Sequence, residues 1–351
     1  MSWQPLVTKR EPVLAAIAQL AGSVEGATVD HALMRYYLAL DDALPDPDDR
    51  GSEALAGALE ALTTSVPFAA LHGGLAGVGW VVAHVADAEE VCASIDARLL
   101  ADLDRVEHFD VIGGFAGIGI YALERGGDLA ARVLAALESR ATRTEHGITW
   151  VTPARPERDT HVDAGVAHGT PGVIAVLARY AVEGHERARS MLDAAVPELL
   201  ALAPPRAGGR YAAWYLGGRG EGDRARLAWC YGDLGVSLAL LSAAIARGRD
   251  DWRREAIALA HACAARDEEL GEPGICHGVF GVAHLFARLH HATGDARFAE
   301  AARRGLERGL ARLAPSADLT LLTGAAGIAL VLHAAISDVE PSWDRLLVVD
   351  V

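Results

Sequence analysis

The chain is poor in several things that would have pointed to a ready-made function. It holds four cysteines, Cys92, Cys230, Cys263 and Cys276, in 351 residues. That is too few for the disulfide framework of a secreted scaffold. Lysine and arginine together number 32 against 47 aspartate and glutamate, for a formal net charge of −15 with no acidic tail. A surface of that sign repels a phosphate backbone, so no nucleic-acid partner is expected. No stretch reaches the roughly 18–20 uninterrupted apolar residues that span a bilayer. The opening MSWQPLVTKREP carries no apolar run either. Neither a membrane span nor a signal peptide is therefore expected, and a reducing cytoplasm, where thiols stay free, is the expected location.

What the chain does have is 51% hydrophobic residues, enough for a large core, and a pattern that repeats. Six times a pair of glycines three apart opens an apolar helical run: Gly74 and Gly77, Gly114 and Gly117, Gly169 and Gly172, Gly232 and Gly235, Gly278 and Gly281, Gly324 and Gly327. Self-similarity of this kind marks a repeat architecture. On a helix start the spacing puts both glycines on one face, where a neighbouring backbone can come close. Between the copies lie amphipathic stretches, among them Asp128–Ser139, Ala188–Leu202, Asp251–Ala265 and Asp295–Arg312, with apolar residues at i, i+3 and i+4. Each unit thus reads as an apolar inner helix plus an amphipathic outer one. Stacked in sequence, such units make either an open superhelix or a closed toroid; closure is favoured because the glycine ends then share one mouth, so the expected fold is all-α, one α/α toroid over residues 1–351 with six to seven helix pairs. Helices within residues 1–65 (Glu11–Leu20, Ala32–Leu40, Ser52–Leu62) are expected to complete the ring. Two connections, Glu145–Asp163 and Ala203–Ala225, are less helical. They read as a hairpin or flap and a mobile loop at a functional rim.

Two motifs carry metal chemistry. Arg226-Leu227-Ala228-Trp229-Cys230-Tyr231-Gly232 heads the fourth copy, and Gly274-Ile275-Cys276-His277-Gly278 heads the fifth. Two thiols and one imidazole at matching repeat positions would meet at one point in a closed ring. Two Cys and one His with a fourth position open is the ligand count of a catalytic zinc site, whereas a structural site has four protein ligands. Cys230, Cys276 and His277 are accordingly the candidate ligands for Zn²⁺. Cys92 and Cys263 lie in helical runs without such partners and read as core.

Six glycine motifs in order, with Trp-Cys-Tyr-Gly, Cys-His-Gly and Ala-His-Gly in particular copies, resemble the lanthionine synthetase C family, the LanC-like cyclases. The resemblance runs from about residue 66 to about residue 337. It implies an α/α toroid that binds zinc and adds cysteine thiols of a dehydrated precursor peptide to dehydroalanine or dehydrobutyrine, forming thioether rings. The chain is too short to include a dehydratase, so a separate dehydratase is the implied partner. Matched motif by motif, the resemblance also implies catalytic roles. His168 would exchange protons, either taking the thiol proton or donating to the enolate. Arg226 would stabilise charge. Asp110 would fix the tautomer of His168, although a plain helix N-cap explains that aspartate equally well. Tyr231 could bond a carbonyl beside the metal or merely pack. His72, His161, Asp163 and His284 are weaker candidates.

One departure stands out. Bacterial members can carry an inserted small β-rich domain, but here Gly117 follows Gly77 by 40 residues (117 − 77), which leaves no room for one there. Other readings fit less well. A thiol prenyltransferase wants a wide aromatic funnel, and the chain is 6% aromatic. A toroidal glycosidase wants two inward carboxylates and no metal thiolates. The non-enzymatic alternative is a LanC-like protein that holds zinc and a peptide or glutathione without turnover, or scaffolds a dehydratase.

Overall fold

The structure, a computed structural model, describes residues 3–22, 26, 28–41, 43–46, 48–64, 68–154, 159–203, 210–216, 219–316 and 318–351. Its contacts divide into two compact units. One comprises Met1–Pro67 with Asp267–Asp344, and the other comprises Phe68–Arg266 with Arg345–Val351.

The first unit begins with α1 (Arg10–Gly22), α2 (Val29–Ala39) and α3 (Arg50–Thr64). The second then builds four successive pairs: α4 (Leu75–Val85) with α5 (Glu89–Asp102), α6 (Phe115–Arg125) with α7 (Asp128–Arg140), α8 (Thr170–Val182) with α9 (Glu186–Leu202), and α10 (Asp233–Arg247) with α11 (Asp250–Ala264). Two small sheets sit between pairs. Strands β1 (Thr142–Arg143) and β2 (Ile148–Thr149) form a hairpin, and β3 (Val162–Asp163), β4 (Ala212–Leu216) and β5 (Arg219–Arg224) form an antiparallel sheet in that order. The chain returns to the first unit with α12 (Val279–Thr293), α13 (Ala296–Arg312) and α14 (Ala325–Ile336).

The inner and outer helices differ as the sequence pattern requires. In the second unit α4, α6, α8 and α10 pack in a row, each against the next, and are buried over most of their length. Their outer partners bury only one stripe, such as Leu129, Val133 and Leu137 of α7. Cys92 and Cys263 lie on such stripes, both buried, as expected of core thiols. In the first unit α12 pairs with α13, and α2 with α3. The last inner helix, α14, is covered by α1 from the other end of the sequence. The N-terminal helices thus supply one whole pair and the missing half of another, a detail that periodicity alone does not contain.

Of the two less helical connections, the second, the expected mobile loop at 203–225, falls partly on residues outside those described, including Pro204, Arg206 and Gly217. What is described of the second is not loop: β4 and β5 are paired, and β4 pairs with β3 (Val162 opposite Tyr215, Asp163 opposite Trp214). A buried carboxylate anchors this sheet to the helical row. Asp233, the first residue of α10, accepts hydrogen bonds from the backbone N–H groups of Arg210 and Tyr211, each 2.9 Å.

The glycine pairs have a different cause from the one their spacing suggests. The first glycine of each pair is the residue before the helix, with extended backbone, and the second lies in its first turn. In all six copies the group crowding the second glycine is the carbonyl of the residue six before it, in the same chain's approach loop. The loop folds over the helix end and satisfies its free N–H groups. For α6, Phe115 N–H donates to His108 O, Ala116 N–H to Phe109 O and Gly117 N–H to Asp110 O. No side chain is needed as a cap. The loops are also linked to one another. Leu71 and His72 N–H donate to Ile112 O, Val111 N–H to Ala167 O, and Ala167 N–H to Cys230 O. In the first unit Cys276 N–H donates to Leu322 O, and Leu321 N–H donates to the Asp30 carboxylate of α2. This lacing holds the heads of the helices at fixed spacing.

Candidate active site

In the second unit the laced loops bring most of the sequence-predicted residues together. Asp110 sits in the loop before α6. It does not cap that helix: Gly114 holds the cap position, with no side-chain hydrogen bond. One Asp110 oxygen accepts the N–H of Gly113 at 2.8 Å, and the other meets Nδ1 of His168 at 2.7 Å. Of the two readings open for Asp110, the geometry is that of the histidine partner. With Nδ1–H donated to the carboxylate, Nε2 is the nitrogen left for chemistry. The His168 side chain is 41% exposed and Asp110 13%.

The electrostatics follow. Burial alone would lower the pKa of His168, but the bond and charge of Asp110, with the charges of Asp163 and Cys230, raise it above the ordinary histidine value. Burial likewise works against ionised Asp110, and the His168 and Gly113 hydrogen bonds bring it below the usual carboxylate range. The pair therefore favours a carboxylate and an imidazole that holds its proton well.

Around this pair stand Tyr231, Arg226 and Cys230. The Tyr231 ring stacks on His168, centroids 6.0 Å apart and 28° between planes. Its hydroxyl donates a long hydrogen bond, 3.4 Å, to Asp163. Burial, then the neighbouring Asp163, push the phenol well above its usual pKa, so it stays protonated. Arg226 is exposed, with Nη2 3.4 Å from Sγ of Cys230. Cys230 is buried and not disulfide-bonded. Its backbone carbonyl is pressed against Gly165.

His72 is present too, but in another role. Its ring stands edge-on to Trp229 with centroids 6.1 Å apart, and its Nε2 is buried with no hydrogen-bond partner among the described residues. Burial pushes its pKa down to about 4, against a smaller upward pull from a hydrogen bond with the backbone of Leu346. It is a neutral imidazole at ordinary pH.

The first unit carries Cys276 and His277, half-buried, in the loop before α12. Crowding at Gly281 by Ile275 and at Gly274 by Thr323 fixes that loop. His284, on the body of α12, belongs to a buried ion network. Its Nε2 lies 2.6 Å from Asp344, which Arg288 also grips through two bonds. That network ties the 3₁₀ helix Ser342–Leu347 to α12 and has the character of a core clamp.

Sequence reasoning missed two supports. The Trp229 indole N–H donates to Leu347 O at 2.8 Å, and Thr152 Oγ1 donates to Asp163 at 2.7 Å. Both join segments that no motif relates.

Comparison with known proteins agrees with the helical fold. Residues 32–348 match the model of the lanthionine synthetase C-like proteins. The chain belongs to that family. Among solved structures a nisin cyclase superposes with a TM-score of 0.80 at 19% identity, covering 97% of this chain and 96% of that one. The fold is accordingly that cyclase's α/α toroid, as the resemblance implied. A sugar epimerase from a ruminal bacterium aligns at a TM-score of only 0.42, with 13% identity over 81% of this chain and 75% of that one, too remote to bear on this protein. No curated protein matched in a direct sequence comparison. No helix among the described residues is long and apolar enough to cross a membrane.

Proposed function

We propose that the protein is a zinc-dependent cyclase that adds cysteine thiols of a dehydrated precursor peptide to dehydroalanine or dehydrobutyrine, giving (methyl)lanthionine rings. Family membership supports the class of reaction. The observation that carries the reading is the Asp110–His168 pair, joined at 2.7 Å, with Tyr231 stacked on the imidazole and Arg226 on the sulfur of Cys230.

The metal expected of the family fits the donors present. The donors assigned to it are Cys230 of the second unit and Cys276 and His277 of the first, each in a loop that heads an inner helix. Two sulfurs and one imidazole nitrogen suit zinc and leave a position open. Neither thiol is tied up in a disulfide. Bound there, zinc supplies the charge that deprotonates an incoming thiol at neutral pH.

The addition makes one C–S bond at the β-carbon and one C–H bond at the α-carbon, with no change of oxidation state. The proton leaves the thiol and must arrive at the α-carbon. His168, held through Nδ1, presents Nε2 for either transfer, and its raised basicity keeps the proton available. As sulfur attacks, negative charge moves to the carbonyl oxygen of the dehydroamino acid. The guanidinium of Arg226, beside Cys230, is placed to offset that charge. Tyr231, protonated and bonded to Asp163, holds the imidazole plane rather than supplying a proton. The substrate must reach the site already dehydrated, so a separate dehydratase acts first, and thiol ligands of this kind suit a reducing cytoplasm.

The test is ring closure on a dehydrated peptide by purified protein, with metal content measured alongside. We expect about one zinc per chain from the ligand count, activity lost to chelator, and a rate loss of ~10²–10⁴-fold in His168→Ala with zinc retained. Normal cyclisation by zinc-free protein would overturn the reading. A zinc-loaded protein that closes no ring would favour the non-catalytic alternative, a family member that binds zinc and peptide or glutathione or scaffolds a dehydratase.

A further inference from the structure

One buried carboxylate near this site has so far appeared only as the acceptor of the Tyr231 hydroxyl and a charge near His168. Asp163 lies on β3 and is 3% exposed. Its surroundings are built rather than incidental. Thr152 Oγ1 donates to Oδ2 at 2.7 Å, and Nε2 of His161 stands 3.4 Å from the same oxygen. Backbone hydrogen bonds between Thr152 and His161, 2.8 and 3.1 Å, close that grip from both sides. Pairing with β4 fixes the strand, and β4 is in turn anchored through Asp233 to α10. The remaining oxygen, Oδ1, accepts the Tyr231 hydroxyl. A carboxylate out of water is costly unless its oxygens are satisfied. Here one oxygen is satisfied by its own sheet and the other by a residue next to a candidate metal ligand.

We propose that Asp163 is a second positioning carboxylate of the site: it holds the Tyr231 ring over His168 by its hydroxyl, as Asp110 holds the imidazole by Nδ1. This rests on the cyclase reading for its catalytic consequence, though not for its geometry. The two carboxylates act at right angles in function. Asp110 sets the tautomer and direction of the imidazole and leaves Nε2 to move a proton, and Asp163, through the phenol, fixes the ring stacked beside it. The charged and titratable groups facing the imidazole are Asp110, Tyr231, Asp163, Cys230 and His72.

A coupling experiment separates this role from plain structural support. Tyr231→Phe and Asp163→Asn are each expected to lower kcat by ~10–100-fold, the usual effect of losing a residue that orients a site group. KM, zinc content and melting temperature should stay close to the parent. The double variant should be no slower than the slower single one, because both changes act on the same bond, one removing its donor and the other its charged acceptor. Thr152→Val, which loosens the carboxylate without touching Tyr231, should give a smaller loss of kcat. Losses that multiply in the double variant, a full kcat in Asp163→Asn, or a loss that tracks a fall in melting temperature would overturn the proposal. A readout independent of turnover is the ring resonance of His168 in histidine-labelled protein. It should shift alike in Asp163→Asn and Tyr231→Phe, and an unmoved resonance in either would also overturn it. If the parent protein closes no ring, the cyclase reading fails while the resonance still judges the placement of Asp163.

Discussion

Gly113, in the loop before α6, and Gly117, in the first turn of that helix, lie four residues apart, and adding a methyl group to each should have opposite consequences. A Cβ on Gly113 meets nothing within 4 Å, and its N–H, which the Asp110 carboxylate holds, survives the change. A Cβ on Gly117 would stand 2.9 Å from the Leu71 side chain and 3.1 Å from the Val111 carbonyl carbon, and would press on the Val111 oxygen itself. Backbone cannot swing away as the end of a side chain can, so the loop or the helix must shift. Overpacking of this kind costs about 1–3 kcal/mol. Unfolding entropy near 2.1 cal/mol/K per residue gives about 0.7 kcal/mol per degree for a chain of this length, if both units melt together. Gly117→Ala should therefore lower the melting temperature by roughly 1–4 °C, and Gly113→Ala should change stability by no more than about 0.5 kcal/mol. The damage should also reach the site. The Gly117 N–H is bonded to the carbonyl of Asp110, so the displaced loop carries the carboxylate away from His168. Calorimetry on the two variants, with the His168 ring resonance as a local probe, tests both points. Melting temperatures of the two variants within half a degree of each other, on the order of a tenth of the effect that overpacking can cause, would refute the argument from close backbone approach.

Four further outcomes are expected. Asp110→Asn should lower the pH at which His168 takes up its proton, because burial then acts on the imidazole without the opposing carboxylate; an unmoved titration would place the source of the raised basicity elsewhere. His72 is held near pKa 4 against about 6.5 in an unfolded chain. As pH falls from about 6.5 to about 4 the unfolded state gains a proton that the native state refuses, so stability drops, by at most about 3 kcal/mol. His72→Gln should flatten that part of the pH–stability curve, and an identical curve would count against a buried neutral imidazole. Cys276→Ala should abolish zinc binding, and full occupancy in metal analysis would mean the ligand is misassigned. Arg288→Ala should cost about 3–5 kcal/mol in denaturant unfolding, since it leaves the fully buried Asp344 with only His284 beside it, and a loss under 1 kcal/mol would show that His284 or water makes good the missing cation.

The amino-acid order alone carried the helix pairs, the six loop heads and the chemically distinctive side chains. Helix periodicity and a glycine at a fixed offset are local properties, and they follow from steric rules acting over a turn or two. The candidate site residues Cys230, Cys276, His277, His168 and Arg226 could be singled out for the same reason, each being tied to one of those loop heads. What the order did not carry is which non-adjacent segments share a hydrogen bond. The six glycines answer to a carbonyl in their own loop, not to a neighbouring helix. Asp110 turned out to hold an imidazole 58 residues away instead of capping the helix beside it. The connection before α10 became a sheet because β3 supplies an edge for β4 to pair with, and Asp163 became a partner of Tyr231 only through that pairing. Such contacts are settled when packing leaves a buried donor or acceptor one available partner, a condition that exists only once the chain has folded.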